Sequence, residues 1–210
     1  MNQLKNLVSH PLIDHKMALL RDHQTQNNSF RTLVKEITQM LVFPATQHLQ
    51  LKNKKIQTPV DNMIASQLSV EVLVVPIIRA GLGMLDGFTD LIPQANVGHI
   101  GFARDEKTLK ASTYMVKLPL IDSKTEVFIL DPMLATGGTL IQAIDLIKKK
   151  GGKRITYLGL VGVQPGIDLV LKAHPEVNIF LAAIDKKLNN VGYIVPGLGD
   201  AGDRLFGQEG

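Results

Sequence analysis

The chain is 210 residues long, 45% hydrophobic and free of cysteine. That length and apolar content suffice for one full core. The lack of cysteine excludes disulfides, thiolate zinc sites and cysteine nucleophiles. The net charge of +4 (pI ≈ 9.2) is modest and suits an anionic small substrate. No apolar stretch reaches the length of a bilayer span, and M-N-Q-L-K-N-L lacks the apolar core of a signal peptide. A cytoplasmic location is therefore expected, with no membrane partner.

In chain order, Ser29 is placed to cap a helix whose apolar face is Phe30, Leu33, Val34, Ile37 and Leu41, with Pro44 just beyond it. Lys52, Lys54 and Lys55 cluster in a segment read as a loop. No aromatic residues interleave with them, which argues for a solvated surface and against nucleic acid. Residues 70–78 are a β-rich apolar run. Arg79 follows at its end, where it either grips a diphosphate bidentately or pairs with a structural carboxylate. Residues 97–102 and 114–118 are weaker strand candidates. Between them, Arg104, Asp105 and Glu106 form either an arm over a polyphosphate or a solvated charge cluster.

The densest chemistry lies in V127-F-I-L-D-P-M-L-A-T-G-G-T139. Residues 127–130 read as a buried strand with Asp131 at its C-terminal end. Thr136, Gly137, Gly138 and Thr139 form a turn into a helix over 139–150, whose apolar positions are Leu140, Ile141, Ile144 and Ile147. Two glycines before a helix N-terminus let backbone N–H groups wrap a phosphate, and the threonines add hydroxyl donors. Asp131 can hold sugar hydroxyls or, through water, a magnesium ion. A strand over 155–163 completes a βαβ unit with parallel strands. A short helix from Pro165 to about residue 172 and a strand over 177–184 follow. The pattern is α/β, three layers around a mostly parallel sheet. Ligands then sit at the strands' C-terminal ends, which places Arg79, Asp131 and Asp185 near one rim.

The tail, Y-I-V-P-G-L-G-D-A-G-D-R-L-F-G, contains a literal G-x-G-x-x-G at residues 197–202. Too little chain follows it to complete a dinucleotide-binding unit. Its glycines alternate with Pro196, Leu198 and Phe206, as in a shaped loop that shows its backbone to a ligand. Backbone N–H and C=O groups can read the imide edge of a pyrimidine. The six histidines (10, 15, 23, 48, 99 and 174) show no metal spacing, so no protein metal site is expected.

D-P-M-L-A-T-G-G-T resembles the phosphoribosyl-pyrophosphate (PRPP) loop of the type I phosphoribosyltransferases. Most of that superfamily has two adjacent acids where this chain has Asp131-Pro132, and that pair resembles the uracil phosphoribosyltransferase branch. S-H-P-L-I-D-H-K, L-L-R-D with Phe30-Arg31, P-I-I-R-A-G-L-G-M, A-R-D-E and Y-I-V-P-G-L-G-D-A-G-D resemble the same family in its order, over residues 9–207. Ala103 departs from it, where a tyrosine is expected.

The resemblance implies one type I phosphoribosyltransferase domain over residues 1–210, with 190–210 supplying the base-binding loop. It implies transfer of phosphoribose from PRPP to uracil, giving UMP and pyrophosphate, with Mg2+ carried mainly by PRPP. Arg79, Arg104, Asp131, Pro132, Met133, Leu134, Ala135, Thr136, Gly137, Gly138, Thr139 and Asp200 would contact PRPP. Ile194, Gly199, Asp200 and Ala201 would read uracil. Arg104, Asp131 and Asp200 would be catalytic. A homo-oligomer and GTP activation are further implications. An RNA-binding regulator on the same fold would need a broad basic face, and a purine transferase a different tail; the sequence favours neither.

Overall fold

Runs of apolar residues covered on both faces define the centre of the molecule. The computed structural model describes residues 5–104 and 111–207. Its first strand is β1 (Lys5–Leu7), followed by helices α1 (Pro11–Arg21) and α2 (Asn27–Ala45). Next come β2 (Leu51–Gln57), β3 (Asn62–Leu68), β4 (Val72–Ile78) and α3 (Leu82–Thr89). Then follow β5 (Asn96–Val97), β6 (His99–Arg104), β7 (Ala111–Lys117), β8 (Glu126–Leu130) and β9 (Met133–Leu134). The rest is α4 (Gly138–Lys149), β10 (Arg154–Val163), α5 (Gln164–Ala173), β11 (Asn178–Asp185), β12 (Lys187–Leu188), β13 (Ile194–Val195) and α6 (Ala201–Phe206).

The main sheet has the order β1-β11-β10-β8-β4-β6-β7. Its pairs are parallel except for β7 on β6, so the expected mostly parallel sheet is observed. Successive residues of a strand face opposite ways. Val72, Val74, Phe128, Leu130 and Leu158 pack with Phe30, Val34, Ile37 and Leu41 of α2. Leu73, Val75, Val127, Ile129 and Ile155 pack with Leu140, Ile144 and Ile147 of α4 and Val170 of α5. Each fully buried Leu or Ile contributes about 1.5–3 kcal/mol, so these two layers carry the fold.

The expected βαβ unit is present as β8, α4 and β10, with Ile155 paired to Val127 in parallel register. Three local expectations are corrected. Ser29 lies inside α2, which begins at Asn27 after Gln26; its own N–H donates to Asn28 Oδ1. Pro44 falls in the last turn of α2, where its missing N–H costs one bond and the helix ends one residue later. Lys52, Lys54 and Lys55 lie on β2, in an exposed hairpin with β3, and not in a loop. That strand has no buried face, so hydrophobic alternation could not reveal it. Helices α1 and α3 add to the expected elements.

Parallel pairing puts the C-terminal ends of β4, β8, β10 and β11 on one edge. Arg79, Asp131 and Asp185 therefore lie along that rim, as expected. Among the described residues, no helix is long and apolar enough to cross a membrane.

Candidate active site

The site begins where β8 is interrupted. Asp131 N–H donates to the Leu158 carbonyl at 3.2 Å, and Leu160 and Val161 N–H both donate to the Pro132 carbonyl at 3.0 Å. Strand pairing then resumes, with Met133 opposite Val161. The interruption is thus tied into β10. Pro132, which has no N–H to place, is buried there. Asp131 lines the cleft at this break. Desolvation raises its pKa to about 7, against an opposing pull from the Met133 amide. Proline in place of a second acid leaves no adjacent negative charge to add to that rise.

After β9 the chain turns through Thr136 into α4. Gly137, the residue before the helix, has φ +84, a left-handed conformation that favours glycine. A Cβ there would also stand 2.7 Å from the Gly166 carbonyl. No side chain caps α4, so its first N–H groups are open to an external acceptor. Met133, Leu134, Ala135, Thr136, Gly137 and Thr139 line the cleft beside Asp131, and Gly138 opens the helix.

The facing wall comes from the tail. Ile194, Gly199, Asp200 and Ala201 line the same cleft, so both ends of the expected site meet. The bends between them use a cis Val195–Pro196 bond and left-handed glycines at Gly197 (φ +65) and Gly199 (φ +79). Asp200 caps α6, its Oδ1 accepting the Asp203 N–H at 3.0 Å. Leu198, Ala201 and Leu205 are buried, so the tail is part of the core.

Arg79 follows β4 through a cis Ile78–Arg79 bond. Its Nη2 is 3.4 Å from Asp203 Oδ1, and its neighbour Ala80 lines the cleft. It therefore sits beside the cleft with a carboxylate partner, the second of the two alternatives left open by the sequence. Arg104 ends β6; its side chain and residues 105–110 lie outside the described residues, so the expected arm does too. Ala103 is exposed on β6. Asp185 reaches the rim but turns away from the cleft, bound by Arg21. Sequence reasoning did not assign Ala80, Leu140, Gly192, Tyr193 or Gly202 to the site, and these also line the cleft. Tyr193 opened a quoted motif, but nothing in its spacing marked it.

Among the described residues, no group of three or more His, Asp and Glu side chains could hold a metal. The donor set of Asp131 and Asp200 suits a hard cation that keeps most of its ligands from phosphates and water. Uncapped helix amides, a carboxyl group and a backbone loop thus share one cleft, groups whose chemistry suits a phosphorylated sugar next to a flat heterocycle.

Comparison with known proteins points the same way. The family model described as uracil phosphoribosyltransferase matches residues 7–208. A uracil phosphoribosyltransferase of Pediococcus pentosaceus is 49% identical over 204 residues, 97% of this chain and 98% of that protein. One from Clostridium kluyveri is 52% identical over 203 residues, 96% and 97% of the two chains. The solved AQ2163 protein of Aquifex aeolicus superposes with a TM-score of 0.92 at 39% identity, covering 97% of this chain and 98% of that one. A hypoxanthine-guanine phosphoribosyltransferase of Bacillus anthracis, at TM-score 0.51 and 11% identity over 76% and 80% of the chains, shares the fold alone. The architecture is that of the type I phosphoribosyltransferases.

Proposed function

This chain belongs to the uracil phosphoribosyltransferase family, and from that premise we propose how its cleft performs the family's reaction. The chain transfers the 5-phosphoribosyl group of PRPP to uracil, giving UMP and pyrophosphate. The observation that carries the reading is the meeting of two loops: the left-handed Gly137 turn into α4 and the glycine-bent backbone of residues 194–202 line one cleft.

The 5-phosphate docks on backbone amides and hydroxyls of residues 134–139. Asp131 accepts from the ribose hydroxyls. Arg79 and Arg104 bind the pyrophosphate, and Asp200 lies against PRPP. Residues Ile194 and 199–201 read uracil through the backbone. No covalent nucleophile is needed. Departure of pyrophosphate leaves positive charge on the ribose, and the protein's task is to align the base and stabilise the leaving charge. Mg2+, held by PRPP with help from Asp131 and Asp200, would neutralise pyrophosphate charge.

The resemblance also supports Mg2+ dependence, activation by GTP and a cytoplasmic location. The exposed β2–β3 hairpin supports a homo-oligomer, since Leu51, Ile56, Met63 and Ile64 stand in solvent and an isolated hairpin is marginal alone. Sedimentation and rates with and without GTP test these points. The central test is pyrophosphate release from PRPP with Mg2+ and each of uracil, cytosine, hypoxanthine and guanine. Turnover with uracil is expected. No turnover, combined with tight RNA binding at physiological salt, would reverse the assignment.

A further inference from the structure

The loop facing the phosphate turn is held from outside the cleft. Asp185 ends β11, and its side chain is only 7% exposed. Arg21 of α1 donates to it twice, Nη2 to Oδ1 and Nη1 to Oδ2, both at 2.8 Å. Gly197 N–H donates to the same Oδ2 at 2.8 Å. Arg21 Nη1 also donates to the Gly197 carbonyl at 2.7 Å. One ion pair thus binds both backbone groups of a single glycine. Arg204 continues the pattern on the next residue. Its Nη1 donates to the Leu198 carbonyl at 2.9 Å and its Nη2 to the Asp22 carbonyl at 2.6 Å, with the guanidinium 4.3 Å above the Phe30 ring.

A buried ion pair contributes little net stability, because desolvation offsets attraction. This pair spends its spare hydrogen bonds on Gly197, and neither partner lines the cleft. Two residues further on, Gly199 does line it. A site that reads a base with backbone groups cannot correct an error by changing rotamers, so its loop must be fixed from behind.

We infer that Arg21 and Asp185 are positioning residues for base recognition: they fix Gly197, and through it the backbone of residues 199–202, against uracil. The inference rests on the reading of residues 194–201 as the base-binding segment. The phosphate turn hangs on other elements, α4 and α5, and Asp200 is the one residue of this segment read as meeting PRPP, so the effect should fall mainly on the base.

Steady-state kinetics with the full chain, PRPP and uracil, together with calorimetry of PRPP binding, test this. The variants are Arg21→Ala, Arg21→Lys, Asp185→Asn and Leu20→Ala. Asp185→Asn turns an amide donor toward existing donors. Arg21→Ala and Asp185→Asn should raise the uracil KM roughly ten- to a hundredfold, the range for losing buried charged hydrogen bonds, while the PRPP Kd moves less than about threefold. Arg21→Lys, which keeps the charge but not the fork, should recover part of the loss. Leu20→Ala, cut into the buried face of α1, should lower Tm without moving the uracil KM. An unchanged uracil KM in Arg21→Ala, or loss of uracil and PRPP affinity in parallel, would overturn the inference. If Arg21→Ala does not fold, Arg21→Lys and Asp185→Asn decide by the same readout. A wild-type chain that binds PRPP yet turns over no uracil would overturn the reading of the site, and this inference with it.

Discussion

The phenol of Tyr157 donates a 2.7 Å hydrogen bond to the backbone carbonyl of Asp131. Tyr157 is fully buried in β10, one strand over. Desolvation pushes its pKa well up, and the charge of Asp131 adds to that, so it remains a donor. The bond supports the strand end from beneath while the Asp131 carboxyl lines the cleft. The same burial makes ionising that carboxyl costly. The protein thus holds a desolvated acid where a hydroxyl-rich sugar would relieve it.

Asp131 should therefore leave a mark on stability. Its folded pKa of about 7 lies above the ordinary carboxylate value. Between those two values the folded state binds the extra proton, so stability falls as pH rises, by at most about 1.4 kcal/mol per pH unit, and levels off above pH 7. Asp131→Asn removes this titration. Denaturant melts should find the variant more stable than wild type at pH 8, with the margin shrinking by pH 5, while PRPP turnover is lost. Parallel pH profiles for the two proteins would show that Asp131 is not desolvated.

The two glycines of the turn should separate. A Cβ at Gly137 meets a positive φ, the Gly166 carbonyl at 2.7 Å and Val170 Cγ2 at 3.0 Å. Gly137→Ala should cost about 1–3 kcal/mol and weaken PRPP binding, since the turn must move. At Gly138 the nearest atom is Thr136 Oγ1 at 3.9 Å, so Gly138→Ala should be neutral or stabilising by up to about 1 kcal/mol, as for Gly→Ala in a helix. Urea titrations giving equal losses for both would rule out a strained turn at Gly137.

Arg79 should matter for rate and little for stability. Its side chain is 45% exposed and its pairing with Asp203 is long at 3.4 Å. Exposed pairs contribute about 0–1 kcal/mol. Arg79→Ala should lower kcat/KM by about 2–5 kcal/mol of transition-state stabilisation, as expected for a charge that meets pyrophosphate. Wild-type kcat/KM in the variant would mean that Arg79 does not act on pyrophosphate.

The sequence and the structure agree best where patterns are local. Continuous apolar runs announced β4, β8, β10 and β11, and the glycine pair announced the turn into α4. The facing loop was legible as a loop because its glycines alternate with Pro196, Leu198 and Phe206. Its anchorage was not. Arg21 and Asp185 are 164 residues apart, and no spacing in the chain couples them. Nor did glycine density reveal that Leu198, Ala201 and Leu205 complete the core. The hairpin of β2 and β3 escaped detection because neither strand buries a face.

Base choice should depend on backbone shape more than on side chains. Uracil offers acceptor, donor and acceptor along O2, N3–H and O4; cytosine reverses the last two. Each buried mismatch costs about 1–3 kcal/mol when the partners cannot turn. In the facing loop, Ile194, Leu198 and Ala201 point into the core, and the Asp200 carboxylate is engaged in capping α6. Asp200→Ala should remove a cap contribution of about 0.5–2 kcal/mol and impair PRPP use, yet shift the uracil-to-cytosine ratio of kcat/KM less than about threefold. Gly199→Ala has room for its methyl, the nearest atom being Arg204 Cδ at 3.6 Å, but φ is +79. Relieving that strain, about 1–3 kcal/mol, must move the backbone itself, so the ratio should fall about tenfold or more. Paired kinetics with the two bases decide between these routes. Selectivity lost in Asp200→Ala and kept in Gly199→Ala would mean that a side chain reads the base.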